Sequence, residues 1–236
     1  MTHTLVIPAI YLFAVSHFQA KNDVRYYLNG VAIYPKRKQI VATDGHTMCI
    51  VTLTGNEWYW HTEAKMTNEW HRILGAVTGD SKGLKLAKPK AKEQWAIITI
   101  DEESKQIDIS YSEIHLSEAE QVAAAEQEGM LNKTQRFSSR IADGIFPRYE
   151  NIKPDYSSPI SSTFVGFHAD YLIRVGTITK LFGGKYKCAV LHYPIHSNGT
   201  CEWEIVNHPN VRILLMGMRI DKEINPKATL PAKVPV

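Results

Sequence analysis

The sequence is short of cysteine, of long apolar runs and of charge of one sign, and each shortage removes a class of protein. Three cysteines among 236 residues, Cys49, Cys188 and Cys201, form no even-numbered disulfide framework and fit a reducing compartment, so a cytoplasmic protein is expected. The apolar stretch at 5–15 follows no Lys or Arg and is interrupted by Pro8 and Tyr11. It is too short to span a bilayer and wrongly flanked for a signal peptide, and reads as a strand leading into a buried helix, with no membrane partner. A catalytic set is missing as well. Asp44-Gly45-His46 places an acid beside an imidazole, but no third group stands at a recognisable spacing, and Asp-Gly is a common tight turn between strands. Cys188, His192, His196 and Cys201 match no zinc pattern closely and read as half-buried strand residues. No enzyme, metal or cofactor is expected.

What is present is enough apolar residue, 44%, to bury the core of one large or two small domains. The net charge of +3 is small but unevenly spread. Residues 113–131 hold five Glu and no Lys or Arg, whereas Lys82, Lys85, Lys88, Lys90 and Lys92 fall in a stretch without any acid. Such a Lys run is a solvated loop or a contact for nucleic acid, and composition alone leaves both open.

Periodicity finds one order of elements three times, strand, helix, then three strands. The first unit has a strand at 4–7, a helix at 8–20 opened by Pro8, and strands at 26–34, 39–43 and 48–53, the turns being marked by Pro35-Lys36-Arg37-Lys38 and Asp44-Gly45. The second opens at 58–60. Trp70, Ile73, Leu74 and Val77 then recur at helical spacing from about Thr67, with Gly79 as the stop, and strands are predicted at 95–100, 106–111 and 136–141. The Ala/Glu-rich excursion at 117–129 can form a helix but offers few apolar residues, and reads as a surface insertion. The third unit has a strand at 163–167, a helix at 170–182 and strands at 186–193, 201–206 and 212–220, followed by a Pro- and Lys-rich flexible tail at 221–236.

Five stretches in consistent order carry a family resemblance. DVRYYLNG at 23–30 and VATDGH at 41–46 resemble strands of the middle domain of bacterial sliding clamps, the β subunit of the replicative DNA polymerase. DGIFPRYENIKP at 143–154 is similar to the strand and linker leaving that domain, Gly166-Phe167-His168 with Tyr171-Leu172 to the start of the last helix, and LMGMRI at 215–220 to the C-terminal strand. The resemblance implies an α+β sliding-clamp fold, with helices lining a central hole and sheets forming the outer wall. It divides the chain into a full domain at 1–154, made of half-domains 1–56 and 57–154, a single half-domain at 155–220, and the tail. The shortened plan is that of a clamp carried by a phage or another mobile element.

A clamp encircles duplex DNA without sequence preference and performs no chemistry. Its implied partners are a DNA polymerase and a clamp loader, held through a short peptide in an apolar pocket. Carried over by position, Leu28, Thr43, Gly45, His46 and Met48 form one wall, Pro147, Asn151 and Ile152 the linker side, and Leu214, Met216, Met218 and Arg219 the C-terminal side. Thr47 stands where a basic residue is usual, and Gly217 where Pro is. Phosphate contacts are expected from Arg25, Arg72, Lys82, Lys85, Lys88, Arg174 and Lys180. A clamp ring has twelve half-domains, so three per chain imply a homotetramer, or a trimer if the acidic excursion belongs to a fourth. Segment 4–20 and the strands between 186 and 220 are the expected contacts between copies. The alternative is a decoy or adaptor that binds clamp-interacting peptides without encircling DNA.

Overall fold

The computed structural model describes residues 1–62, 70–75, 83–91, 93–113, 116–152, 166–182, 185, 187–192 and 199–218. Strand β1 (Thr2–Pro8) runs into helix α1 (Ala9–Ser16), Pro8 serving as its N-cap. No side chain of α1 is exposed, because a helix apolar all round except for Ser16 at its end is stable only when covered on every side. Next come β2 (Val31–Tyr34), β3 (Gln39–Thr43), β4 (Thr47–Thr52), β5 (Tyr59–His61), β6 (Arg72–Leu74), β7 (Gln94–Asp101) and β8 (Gln106–Glu113). Helix α2 (Ala119–Gln127), β9 (Lys133–Arg140), α3 (Ala169–Phe182), β10 (Ala189–His192), β11 (Thr200–Ile205) and β12 (His208–Met216) complete the order.

Two antiparallel sheets result, one ordered β5-β1-β7-β8-β9 and the other β10-β11-β12-β4-β3-β2-β6. They share one core. Leu5, Ile7, Ile98 and Ile109 of the first sheet and Ile33, Ile40, Val51 and Ile213 of the second pack around Leu12 and Val15 of α1 and Val175 and Ile178 of α3. At one corner the sheets are stitched together, Gly75 N–H donating to Arg140 O (2.8 Å) and Ala142 N–H to Ile73 O (2.9 Å). Beside it, β2 and β6 approach so closely that a Cβ on Gly30 would lie 2.4 Å from Leu74 O.

Four expectations are corrected. Residues Tyr26–Leu28 form a 3-10 turn, and the strand begins only at Val31. Asn29 holds that turn, donating to Asp23 O (2.9 Å) and accepting from Asp23 N–H (3.2 Å), a local side-chain alternative to a ladder. The helix expected from Thr67 is, in its described part, strand β6. Ile73 faces the cluster outside the second sheet and Leu74 the shared core, which is period 2 rather than 3.6. Val77 and Gly79 lie outside the described residues.

The excursion does form a helix, but not a bare surface one. Ala119, Val122 and Ala123 of α2 pack on Val6, Trp95 and Ile97, the face of the first sheet opposite α1. Alanine lets the helix sit close, and the apolar area comes from the sheet instead. The last correction concerns the expected contacts between copies. Strand β1 is flanked by β5 and β7, and β12 by β11 and β4, so these two lie inside sheets of a single chain, whereas β10, also within 186–220, ends its sheet. The strand at 163–167 is described only from Gly166, which bridges to Met218, and the tail at 221–236 lies outside the described residues.

His3, 1% exposed, sits between Thr62 Oγ1 (2.6 Å from Nδ1) and Glu102 Oε1 (3.1 Å from Nε2) and stacks on Trp60. Burial lowers its pKa below the ordinary 6.5, against the opposing pull of Glu102. The unfolded chain therefore takes up the proton first, and stability falls as the pH drops below 6.5 towards the folded value. The urea midpoint is expected to decline between about pH 7.5 and pH 5.5, and His3→Gln to flatten that decline; an equal slope in the variant assigns it to other groups.

Candidate functional site

The turn joining β3 to β4 consumes the polar groups of the Asp-Gly-His motif. Asp44 Oδ1 accepts from His46 N–H (2.9 Å), Thr47 N–H (2.7 Å) and Thr47 Oγ1 (3.1 Å), and Thr43 Oγ1 donates to Thr47 O (2.7 Å). Gly45 has φ +93°, a conformation that an L side chain rarely adopts. From α3, Arg174 Nη1 donates to Asp44 Oδ2 and to Thr47 Oγ1 (2.7 Å), tying the turn to the helix. Nearby, Arg25 pairs with Asp23 (2.8 Å), and its hydrogen bonds hold that carboxyl down to about 2. Asp44 thus spends Oδ1 on the turn and Oδ2 on Arg174, as a structural turn residue does.

Below the turn lies an apolar floor. Met48 of β4 stands opposite Leu214 of β12, and both are buried with Leu28, Val41, Ile50, Phe146 and Tyr149. The stretch after β9 is pinned to this floor by the Phe146 and Tyr149 rings and by a Tyr149 Oη to Gln39 Oε1 bond of 2.6 Å. Beside the floor the surface is open. Met216 and Met218 are 44% and 45% exposed, Met216 N–H donating to His46 O (2.9 Å) and Met218 N–H to Gly166 O (2.8 Å). The exposed His46 ring stacks on Tyr171, with centroids 6.2 Å apart, and His168 packs on the same tyrosine at 5.2 Å. Two exposed, flexible thioethers thus lie near an aromatic stack.

The residues named from sequence thus separate into groups. Leu28, Thr43, Met48 and Leu214 are buried, while Gly45, His46, Met216 and Met218 reach the surface. On the linker, Pro147 is half-buried and Ile152 38% exposed; Asn151 lies in the 3-10 turn Glu150–Ile152, and Arg219 is outside the described residues. Sequence reasoning left Tyr171 and Arg174 out of this group. Their spacing of three on α3 is a signal that they share a face, but not that the face meets the Asp-Gly turn.

Of the cations expected at DNA, Arg25 and Arg174 are in the ion pairs above. Arg72 makes a two-point pair with Glu102 (2.6 and 3.0 Å) and lies over the Trp70 ring. Lys85, Lys88 and Lys180 are exposed, and Lys82 is outside the described residues. Among the described residues no group of His, Cys, Asp and Glu is arranged to hold a metal ion, and no helix is long and apolar enough to cross a membrane.

Three-strand groups wrapped around apolar helices, with a sheet continuous from β4 to β12, define a class: the chain has the sliding-clamp fold. The particular similarities are to bacterial clamps. The DNA polymerase sliding clamp from Pseudomonas aeruginosa with ligand matches with TM-score 0.53 and 15% identity over 92% of this chain and 66% of that one. The same organism's DNA polymerase III subunit beta bound to griselimycin gives TM-score 0.53 and 15% identity over 92% and 65%. The C. crescentus beta sliding clamp gives TM-score 0.53 and 14% identity over 92% and 65%. The chain therefore spans just under two thirds of the length of the clamp chains in these three structures. No protein-family model matches the sequence, and no curated protein does.

Proposed function

We propose that the chain is a DNA sliding clamp, a cytoplasmic, non-enzymatic processivity factor needing no cofactor, whose copies close a ring around duplex DNA. The observation that carries this reading is the pairing of β12 with β4, which sets Met216 beside His46, whose ring stacks on Tyr171, with Met218 bridged to Gly166 just before α3. A polymerase or clamp loader docks there through a short peptide, encircled DNA being the second partner. Free edges suit assembly between copies: among the described residues β5 and β10 end their sheets away from the corner where β6 and β9 are stitched together, and an unpaired edge invites another strand. A trimer, which needs a fourth half-domain, is disfavoured because α2 packs on the sheet face opposite α1 and adds no helix beside it; four copies follow only from counting three strand-bearing units. From 26.7 kDa per chain, light scattering distinguishes about 107 kDa from about 80 kDa.

Encirclement has a topological signature. Loaded onto nicked circular DNA, the protein is expected to survive a salt wash and to leave once the circle is linearised, since phosphate contacts alone are salt-labile. Equal retention on circular and linear DNA would contradict the ring and leave a peptide-binding adaptor. The peptide surface is tested separately. Met218→Ala is expected to weaken a peptide with spaced Gln, Leu and Phe by about 1–3 kcal/mol in titration calorimetry, the range for an anchor buried on binding. Unchanged affinity removes Met218 from the contact.

A further inference from the structure

Helix α1 has no exposed side chain and no Lys or Arg, so it offers nothing to a polyanion. The described segment 83–91, where the Lys run lies, contains no regular secondary structure, yet it is firmly held. Leu84 is buried in the core that α1 occupies, Leu86 packs against that core, and Pro89 is buried, while Lys85, Lys88 and Lys90 are exposed. Apolar residues inward and lysines outward make this a strap laid over the helix-bearing side of the sheets.

Two buried glutamines fasten its ends. Gln19, just beyond α1 and 5% exposed, donates Nε2 to Leu84 O (2.7 Å) and accepts Leu84 N–H at Oε1 (2.8 Å), as a neighbouring strand would. Gln94, 0% exposed, accepts Lys90 N–H (2.5 Å) and Ala91 N–H (3.3 Å) at Oε1, and its own amide is fixed by Glu113 (3.2 Å) and Thr134 (3.0 Å). A solvated loop has no need of such anchors, since exposed backbone groups are satisfied by water. Residues 83–91 carry three lysines and no acid, the flanking acids in sequence being Asp80 and Glu93.

We propose that this strap is the chain's track for duplex DNA phosphates, supplying the cations that α1 lacks, and that Gln19 and Gln94 are positioning residues that hold its lysines in register. The inference rests on the clamp reading for its ligand, but its test does not depend on a ring. Binding of the full-length protein to a short, blunt, fluorescent linear duplex is followed by anisotropy across a salt series. Substituting Lys85, Lys88 and Lys90 by Ser is expected to reduce the salt slope by up to about 2.7, at about 0.9 per phosphate contact. Gln19→Met and Gln94→Met, which keep length and lose the amide, are expected to reduce the slope while leaving every lysine in place.

A wild-type slope in the triple variant overturns the strap as the track, and a wild-type slope in both Met variants overturns the positioning role. A fall in thermal stability alone, with the slope unchanged, marks the glutamines as merely structural. Retention on circular DNA read alongside separates the two proposals. A reduced slope without topological retention keeps the strap and removes the clamp reading, and retention with an unchanged slope does the reverse.

Discussion

Replacing Asp44 with alanine is expected to destabilise the fold by about 2–3 kcal/mol and to abolish peptide binding at the β3–β4 turn. The carboxylate is only 13% exposed, accepts three bonds within the turn, and pairs with an Arg174 that is itself 28% exposed. Removing it strands the Thr47 N–H and leaves a partly buried guanidinium without its counter-charge. His46 then loses the backbone bond that places its ring on Tyr171. Asp44→Asn separates the contributions, since its carbonyl still accepts in the turn while the charge facing Arg174 is gone; it is expected to cost about 1 kcal/mol less than alanine. Urea unfolding of the three proteins decides it. An alanine variant within about 0.5 kcal/mol of wild type would mean that water screens the pair and that the turn holds itself.

Gly30→Ala is expected to be the most damaging glycine-to-alanine change among the described residues, costing about 3 kcal/mol or more. The added carbon would lie 2.4 Å from Leu74 O and 2.9 Å from Ile73 Cγ2, so β6 must move off β2 to admit it. That movement pulls on the corner where Gly75 and Ala142 stitch the two sheets, and loosens the floor that Ile73 shares with Leu28. Gly176→Ala in α3 is the internal control. Nothing lies within 4 Å of its new Cβ, and alanine in a helix interior is expected to stabilise by about 0.4–1 kcal/mol. Thermal melts of the pair should move in opposite directions, and a tolerated Gly30→Ala would show that β6 can be displaced freely.

The parts of the fold legible in the sequence are those whose signal is local. Strands β3 and β4 were readable from β-branched runs bracketed by turn residues, although both faces are buried and no polar alternation marks them, with Ile40 in the shared core and Val41 in the outer cluster. The Asp-Gly turn was readable for the same reason. Strand β6 was not, because a three-residue strand beside Trp70 satisfies a helical spacing by accident and its pairing with β2 is invisible along the chain. Helix α2 was legible as a helix but not as a packed one, since its apolar partner is Trp95 on another element. At the candidate site the motif residues were found, while Tyr171 was read only as part of the last helix's start and Arg174 as a phosphate contact. Only the long-range pairing of β12 with β4 brings the third unit, and α3 with it, against the turn.

That pairing also has a bearing on how the chain reaches its folded state. Strand β12 meets β4 across about 160 intervening residues, a loop closure that repays its entropy only late and slows folding relative to local contacts. During synthesis β2, β3 and β4 are complete long before β12 leaves the ribosome, so the apolar edge of β4 stands open in the interval, exposed to aggregation or to a chaperone. Because Met48 and Leu214 bury each other only when the two strands join, the apolar floor beneath the β3–β4 turn is among the last parts of the molecule to form.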